Sequence, residues 1–245
     1  MEPSTDRLLL LIGSGPGIGR SVASRFVQQH FDRVALIARN AEQLEKDREA
    51  VLATAAGVNR AVIVQTWQID IANTERLEEA LGEIEQFGRL ECVYFNAARV
   101  GTSVLFETPV ETIEEDFRVS NLALYATARW AIPLLLHDLP GISDWRPSFL
   151  VTSSLFPVEP FPDWFALSMV KAAQANLVKS LERAFASQWI HIGLVVVWGV
   201  VSDITPLNPT SIAEQAWNLF AQQREEWTTQ VTIYEDGSVN WKNTI

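Results

Sequence analysis

One cysteine in 245 residues leaves no partner for an internal disulfide. Cys92 falls inside an apolar stretch, which fits an inert thiol in a reducing compartment. Positive charge is also scarce. Nineteen Lys and Arg against 30 Asp and Glu give a formal net charge of −11. That sign argues against nucleic acid as a partner, because phosphate binding needs a basic face. It also opposes docking on anionic lipid. No apolar run is long enough to span a bilayer, and Leu8–Ile12 falls far short. Met1–Arg7 is polar and acidic and carries no targeting signal, so the expected location is cytoplasmic. Repeats, low-complexity tracts and linker-like segments are missing, so one domain over 1–245 is expected. No metal-ligand set is read.

What is present is core material. The chain is 48% hydrophobic and 20% charged, enough apolar surface for a large core and too little charge for disorder. Short apolar runs alternate with longer helical patterns. Strands are expected at 8–12, 34–38, 61–69, 92–95, 148–152, 192–197 and near 230–234. Helices are expected at 21–29, 41–55, 74–86, 110–137, 168–188 and 211–226. Asn73 is placed to cap the third helix, and Pro133 to bend the long one near its end. Alternation of this kind predicts an α/β fold, a doubly wound Rossmann-type parallel sheet in a single domain. Continuous apolar strands imply that helices cover both sheet faces. The longest loops follow Val100, Ser154 and Val201 at the carboxyl ends of strands, where ligands bind in such sheets.

Gly13-Ser14-Gly15-Pro16-Gly17-Ile18-Gly19 links the first strand to the first helix. Glycine suits this turn because the backbone needs angles closed to other residues. A phosphate must also approach the main chain, and the helix amino end then offers free N–H groups and a favourable dipole. In that setting the run predicts a dinucleotide cradle. At the corner after the second strand stands Ala38-Arg39-Asn40. There is no acid to hold a ribose 2′-hydroxyl, and a guanidinium is at hand for a 2′-phosphate. The expected cofactor is therefore NADP(H).

The spacing Gly13…Gly17-Ile18-Gly19 resembles the TGxxxGIG fingerprint of short-chain dehydrogenases/reductases, with Ile12 replacing the usual Thr. Phe95-Asn96-Ala97-Ala98 is similar to the family's NNAG motif. Asp70 stands where the family carries an acid against adenine. Asn121, Ser154 and Lys171 match its catalytic Asn, Ser and Lys. Trp198-Gly199 matches its PG element with Trp for Pro. The resemblance implies cofactor contacts from Gly13, Ser14, Gly17, Ile18, Gly19, Arg39, Asp70, Asn96, Lys171 and Val200. Lys171 would hold the nicotinamide ribose.

One expected group is absent. The family's proton donor is a Tyr four residues before the Lys, and that position here is Leu167. Reduction of a ketone leaves an alkoxide that needs a positioned acid, so cofactor binding with altered chemistry is expected. Three readings follow. The first is hydride transfer to an iminium or related nitrogen-containing cation, which becomes a neutral amine without a proton on oxygen. Asp163 and Glu159 could hold such a cation, Arg129 could orient the carboxylate, and Phe156, Phe161, Trp164 and Phe165 could line a pocket for a flat aromatic small-molecule substrate. Core packing and solvated charge explain these residues equally well. This set is similar to a fungal subgroup of the family in indole-alkaloid assembly, whose NADPH-dependent reductases also promote a Diels–Alder cyclisation. That resemblance implies catalytic parts for Asp163, Arg129 and Trp164, beside the retained Ser154, Lys171 and Asn121. The second reading is a carbonyl reductase with a substitute acid, Asp163 or Tyr125, although helix packing explains Tyr125 better. The third is a cofactor-binding protein without catalysis. Family members commonly pair through two long helices, corresponding to 110–137 and 168–188, which implies a homodimer or homotetramer.

Overall fold

The computed structural model describes residues 6–137 and 144–242. Seven parallel strands and one antiparallel strand form a single sheet in the order β3-β2-β1-β4-β5-β6-β7-β8. In chain order these are β1 (Arg7–Ile12), α1 (Ile18–Gln29), β2 (Arg33–Ala38), α2 (Ala41–Gly57), β3 (Ile63–Gln68), α3 (Thr74–Glu85), β4 (Arg89–Phe95), α4 (Val110–Phe117), α5 (Ala123–His137), β5 (Ser148–Ser154), α6 (Phe165–Phe185), β6 (His191–Trp198), α7 (Pro209–Ala221), β7 (Gln230–Tyr234) and β8 (Val239–Asn240).

The alternation of side chains along each strand builds two cores. Leu8, Leu10 and Ile12 of β1 pack under α3, α5 and α6, among Leu77, Ile84, Ala131 and Val178. Leu9 and Leu11 face α1, α2 and α7, among Phe26, Val51, Leu219 and Phe220. All six residues of β1 are buried, as expected for a strand covered on both faces. β3 departs from that expectation. It is an edge strand whose Ile63, Gln65 and Gln68 are exposed while Val64 and Trp67 are buried.

Asn73 caps α3 as expected, its side chain accepting from the Arg76 N–H at 3.1 Å. The expected helix over 110–137 is instead two helices separated by one turn of π-helix at Arg118–Leu122. Pro133 lies inside α5, which continues to His137. Among the described residues, Val110–His137 is the one stretch that passes a length-and-composition test for a membrane span, and 56% of its most apolar window is buried within the domain. The helix expected to reach Glu226 stops at Ala221, and a short 3-10 turn covers Arg224–Glu226. β8, which the sequence did not suggest, pairs antiparallel to β7 through Ile233 and Val239.

Candidate active site

A cleft of about 550 Å³ opens at the carboxyl ends of the strands, between the loops that follow β1, β2, β4 and β5. Strand order reverses between β1 and β4, and both contribute to it, as the switch-point rule for such sheets requires.

The glycine turn forms one wall. Gly13 has φ +90°, and a Cβ there would sit 2.5 Å from the Ala97 nitrogen; a Cβ on Gly19 would sit 2.6 Å from the Gly13 carbonyl oxygen. These two glycines are needed for the protein to close on itself. Gly15 and Gly17 have nothing within 4 Å of such a Cβ. Their bareness leaves the backbone of the turn uncovered there. Gly17 begins α1 with no side-chain cap and no acid follows in the first turn, so the helix amino end is left positive.

The next corner holds Ser14, Arg39, Asn40 and Gln43, all lining the cleft. Asp47 lies beneath them, 0% exposed. Ser14 Oγ donates to its Oδ2 and Gln43 Nε2 to its Oδ1, both at 2.7 Å. With both oxygens engaged and no exposed surface, this carboxylate is not presented to a ribose hydroxyl. Arg39 is exposed and, among the described residues, no carboxylate pairs with it. Asp70 also lines the cleft, its Oδ1 accepting from the Ala72 N–H at 3.0 Å.

The floor is a polar ladder between β1, β4 and β5. Asn96 Nδ2 donates to the Gly13 carbonyl at 3.0 Å. Its Oδ1 accepts from Thr152 Oγ1 at 2.8 Å. Thr152 has one proton, so the 3.0 Å contact with Tyr94 is a donation from the phenol. Burial drives the Tyr94 pKa upward, which keeps this hydroxyl a donor.

One end of the cleft joins Ser154, Leu167 and Lys171. Leu167, 4% exposed, presents an aliphatic surface to the cleft. Lys171 is buried one helical turn later. Its ammonium donates to the Thr152 carbonyl and to Gln174 Oε1, each at 2.9 Å. Burial lowers its pKa from 10.5 to about 8. Ser154 Oγ accepts a long contact from the Phe156 N–H at 3.4 Å.

Several expected site residues lie elsewhere. Arg129 does not reach the cleft; it is exposed on α5 and bridges to Glu78 of α3. It is eight residues beyond Asn121, about 80° round an ideal helix rather than on the same face. Tyr125 is 55% exposed, so it neither faces the cleft nor packs in the core. Asp163 is exposed and outside the cleft lining, and its main-chain oxygen accepts from the Ser103 N–H at 2.8 Å. Glu159 is exposed too. Trp164 stacks on Phe156 at 6.3 Å, and Phe161 meets Phe156 edge-on at 5.9 Å. Of the aromatic run expected to line a pocket, only Phe156 lines the cleft. Asn121 is buried and ties the π-turn to α6 through its donation to the Val170 carbonyl at 3.1 Å. Val200 is 74% exposed, and Gly199 lines the cleft in its place.

Gln43, Thr152, Arg99 and Gln174 were missed. Gln43 lies one turn beyond Arg39, and Thr152 is on the same strand side as Ser154, so both were open to spacing arguments. Arg99 pairs with Glu115 and with Asp116, the latter at 3.0 Å, and lines the cleft. Gln174 had no such signal. Among the described residues, no group of three or more His, Cys, Asp or Glu is placed to hold a metal ion.

Comparison with known proteins agrees with this fold. The short chain dehydrogenase family matches residues 7–213. An uncharacterized oxidoreductase of Staphylococcus aureus is 23% identical over 243 residues, covering 95% of this chain and 99% of its own. A metagenomic short-chain oxidoreductase solved in complex with NADP superposes with a TM-score of 0.77 at 20% identity, covering 94% of this chain and 97% of its own. An acetoin dehydrogenase from Salmonella typhimurium gives 0.80 at 19%, covering 94% and 96%. The chain belongs to the short-chain dehydrogenase family and is an oxidoreductase of that type, built on a single α/β sheet.

Proposed function

We propose that the protein is an NADP(H)-dependent reductase for acceptors that need no proton from the enzyme, foremost cyclic iminium ions on an aromatic small molecule. The observation that carries this reading is Leu167, an aliphatic side chain lining the reactive end of the cleft. The cofactor fits the residues present. Gly15 and Gly17 leave the turn open to its phosphates, Arg39 stands uncommitted for the 2′-phosphate, and the Asp47 carboxylate beneath that corner is occupied. NADPH supplies a hydride when bound. Lys171 would hold its nicotinamide ribose, and Ser154 would orient the acceptor.

An iminium ion becomes a neutral amine on receiving hydride, so its charge balances without an acid. With Asp163 and Glu159 facing solvent, the carboxylate expected for that cation is not in the cleft. What the wall offers is apolar surface from Val100, Val119 and Leu155 and the aromatic ring of Phe156. The two expected substitute acids, Asp163 and Tyr125, lie outside the cleft, so carbonyl reduction is the weaker reading. No observation favours cyclisation, because Arg129, Asp163 and Trp164 do not converge. Leu122, Tyr125 and Met169 leave apolar surface on the long helical stretches, and we assign them to pairing of two copies.

The test is NADPH oxidation with matched cyclic iminium ions and ketones. Turnover of iminium ions alone supports the proposal, and ketone reduction at a comparable rate contradicts it. NADPH binding without turnover of either leaves a cofactor-binding protein.

A further inference from the structure

Lys171 is surrounded by an arrangement that its ribose-binding part does not by itself require. Gln174, one turn further along α6, is 0% exposed. Its Oε1 accepts from Lys171 Nζ at 2.9 Å, and its Nε2 donates to the Ser120 carbonyl at 3.2 Å. Ser120 sits in the π-turn between α4 and α5. A continuous polar bridge thus runs from that turn through Gln174 and Lys171 to the Thr152 carbonyl on β5. Both ends of the amide are committed, so its orientation is fixed: oxygen toward the ammonium, nitrogen toward the turn.

We propose that Gln174 is the positioning residue that keeps the cleft's buried lysine a cation and fixes where its ammonium stands. Two neutral carbonyl oxygens, from Thr152 and Gln174, are the acceptors that replace water around this charge. The third ammonium proton is left for the cleft. The ionisable groups on the surrounding elements do not take this part. Tyr94 of β4 donates to Thr152, Asp116 of α4 pairs with Arg99, Arg118 of the π-turn pairs with Glu114, and His191 sits at the opposite end of β6. Burial lowers the Lys171 pKa, and no charged neighbour offsets it. Removing Gln174 therefore removes half of the ammonium's protein acceptors without removing any charge. It also leaves the Ser120 carbonyl without its side-chain donor.

The chain has four lysines, and Lys46, Lys179 and Lys242 are exposed, so a lysine-selective NMR label resolves Lys171 by its titration. The measurement uses the full chain without cofactor. Gln174→Leu is expected to lower the Lys171 midpoint by about one to two pH units, the loss of one hydrogen bond to a charged group. Gln174→Glu puts a carboxylate on the same oxygen and is expected to raise the midpoint above the wild-type value. Should the leucine variant not fold, the glutamate variant decides alone. A Lys171 midpoint unmoved in the folded variants, whatever their stability, overturns the proposal. A second readout, the pH dependence of NADPH affinity, rests on the proposed cofactor. If the NMR midpoints move and NADPH does not bind, the clamp stands and the cofactor reading falls.

Discussion

Replacing Arg39 by Ala isolates the cofactor corner from the rest of the fold. Arg39 is exposed at the end of β2 and no carboxylate among the described residues pairs with it. Its loss should leave stability within about 0.5 kcal/mol of wild type, as for surface substitutions away from special features. For NADPH the change removes a charge-assisted contact to the 2′-phosphate. Such contacts contribute about 1.5–3 kcal/mol, and solvent screening at an exposed site favours the lower end. The expected result is roughly a tenfold weaker NADPH Kd, with a smaller loss at high salt. NADH has no 2′-phosphate and should bind as before. Asp47 cannot compensate by taking the ribose hydroxyl, because Ser14 and Gln43 occupy both its oxygens. Fluorescence titration with both nucleotides, beside a denaturant melt, gives all three quantities. An unchanged NADPH Kd, or equal weakening for both nucleotides, would refute the reasoning.

Two further substitutions probe the fold that supports the site. Gly13→Ala places a methyl group 2.5 Å from the Ala97 nitrogen and 2.7 Å from its Cα at a backbone with φ +90°; strain and overpacking together should cost about 2–5 kcal/mol in chemical denaturation. Gly15→Ala meets nothing within 4 Å, so its melt should match wild type while NADPH affinity falls. His191 supplies a pH test. Burial holds its pKa at about 4, down from 6.5, its Nε2 contacts the Thr228 carbonyl at 2.9 Å, and its buried Nδ1 has no partner among the described residues. Because the folded pKa is depressed, the unfolded chain takes up this proton first as pH falls below 6.5. Stability should therefore drop by about 3 kcal/mol between pH 6.5 and 4, and His191→Asn should flatten that part of the curve.

The parts legible in the sequence are those fixed by local chemistry. The glycine turn, the Asn73 cap and the apolar runs of β1 and β6 each carry their reason within a few residues. The parallel sheet followed from the alternation because parallel strands need helical crossovers. The site's second half was less legible. Tyr125 was placed by counting one turn from Asn121, but the π-turn at Arg118–Leu122 changes the helical phase where that count begins; Arg129, eight residues on, stands about 80° round from Asn121 even on an ideal helix. Asp163 stands in the loop expected for the substrate, yet its loop is held by main-chain contacts to Ser103 that sequence spacing does not show. Gln174 was invisible because its importance lies in two partners, Lys171 and Ser120, one of them 54 residues away. β8 is two residues long, too short for a periodic signal.

The central claim is that hydride transfer in this cleft proceeds without a proton from the wall at Leu167. The most direct measurement is the solvent deuterium isotope effect on single-turnover oxidation of NADPH by the preferred acceptor, paired with the effect of deuterium on the transferred position of NADPH. The account predicts a clear effect from labelled NADPH and a solvent effect of about 1, since no group donates a proton in the transition state. A solvent effect of about 2 or more on the same step would contradict it, and would mean that another residue has taken over the acid's part.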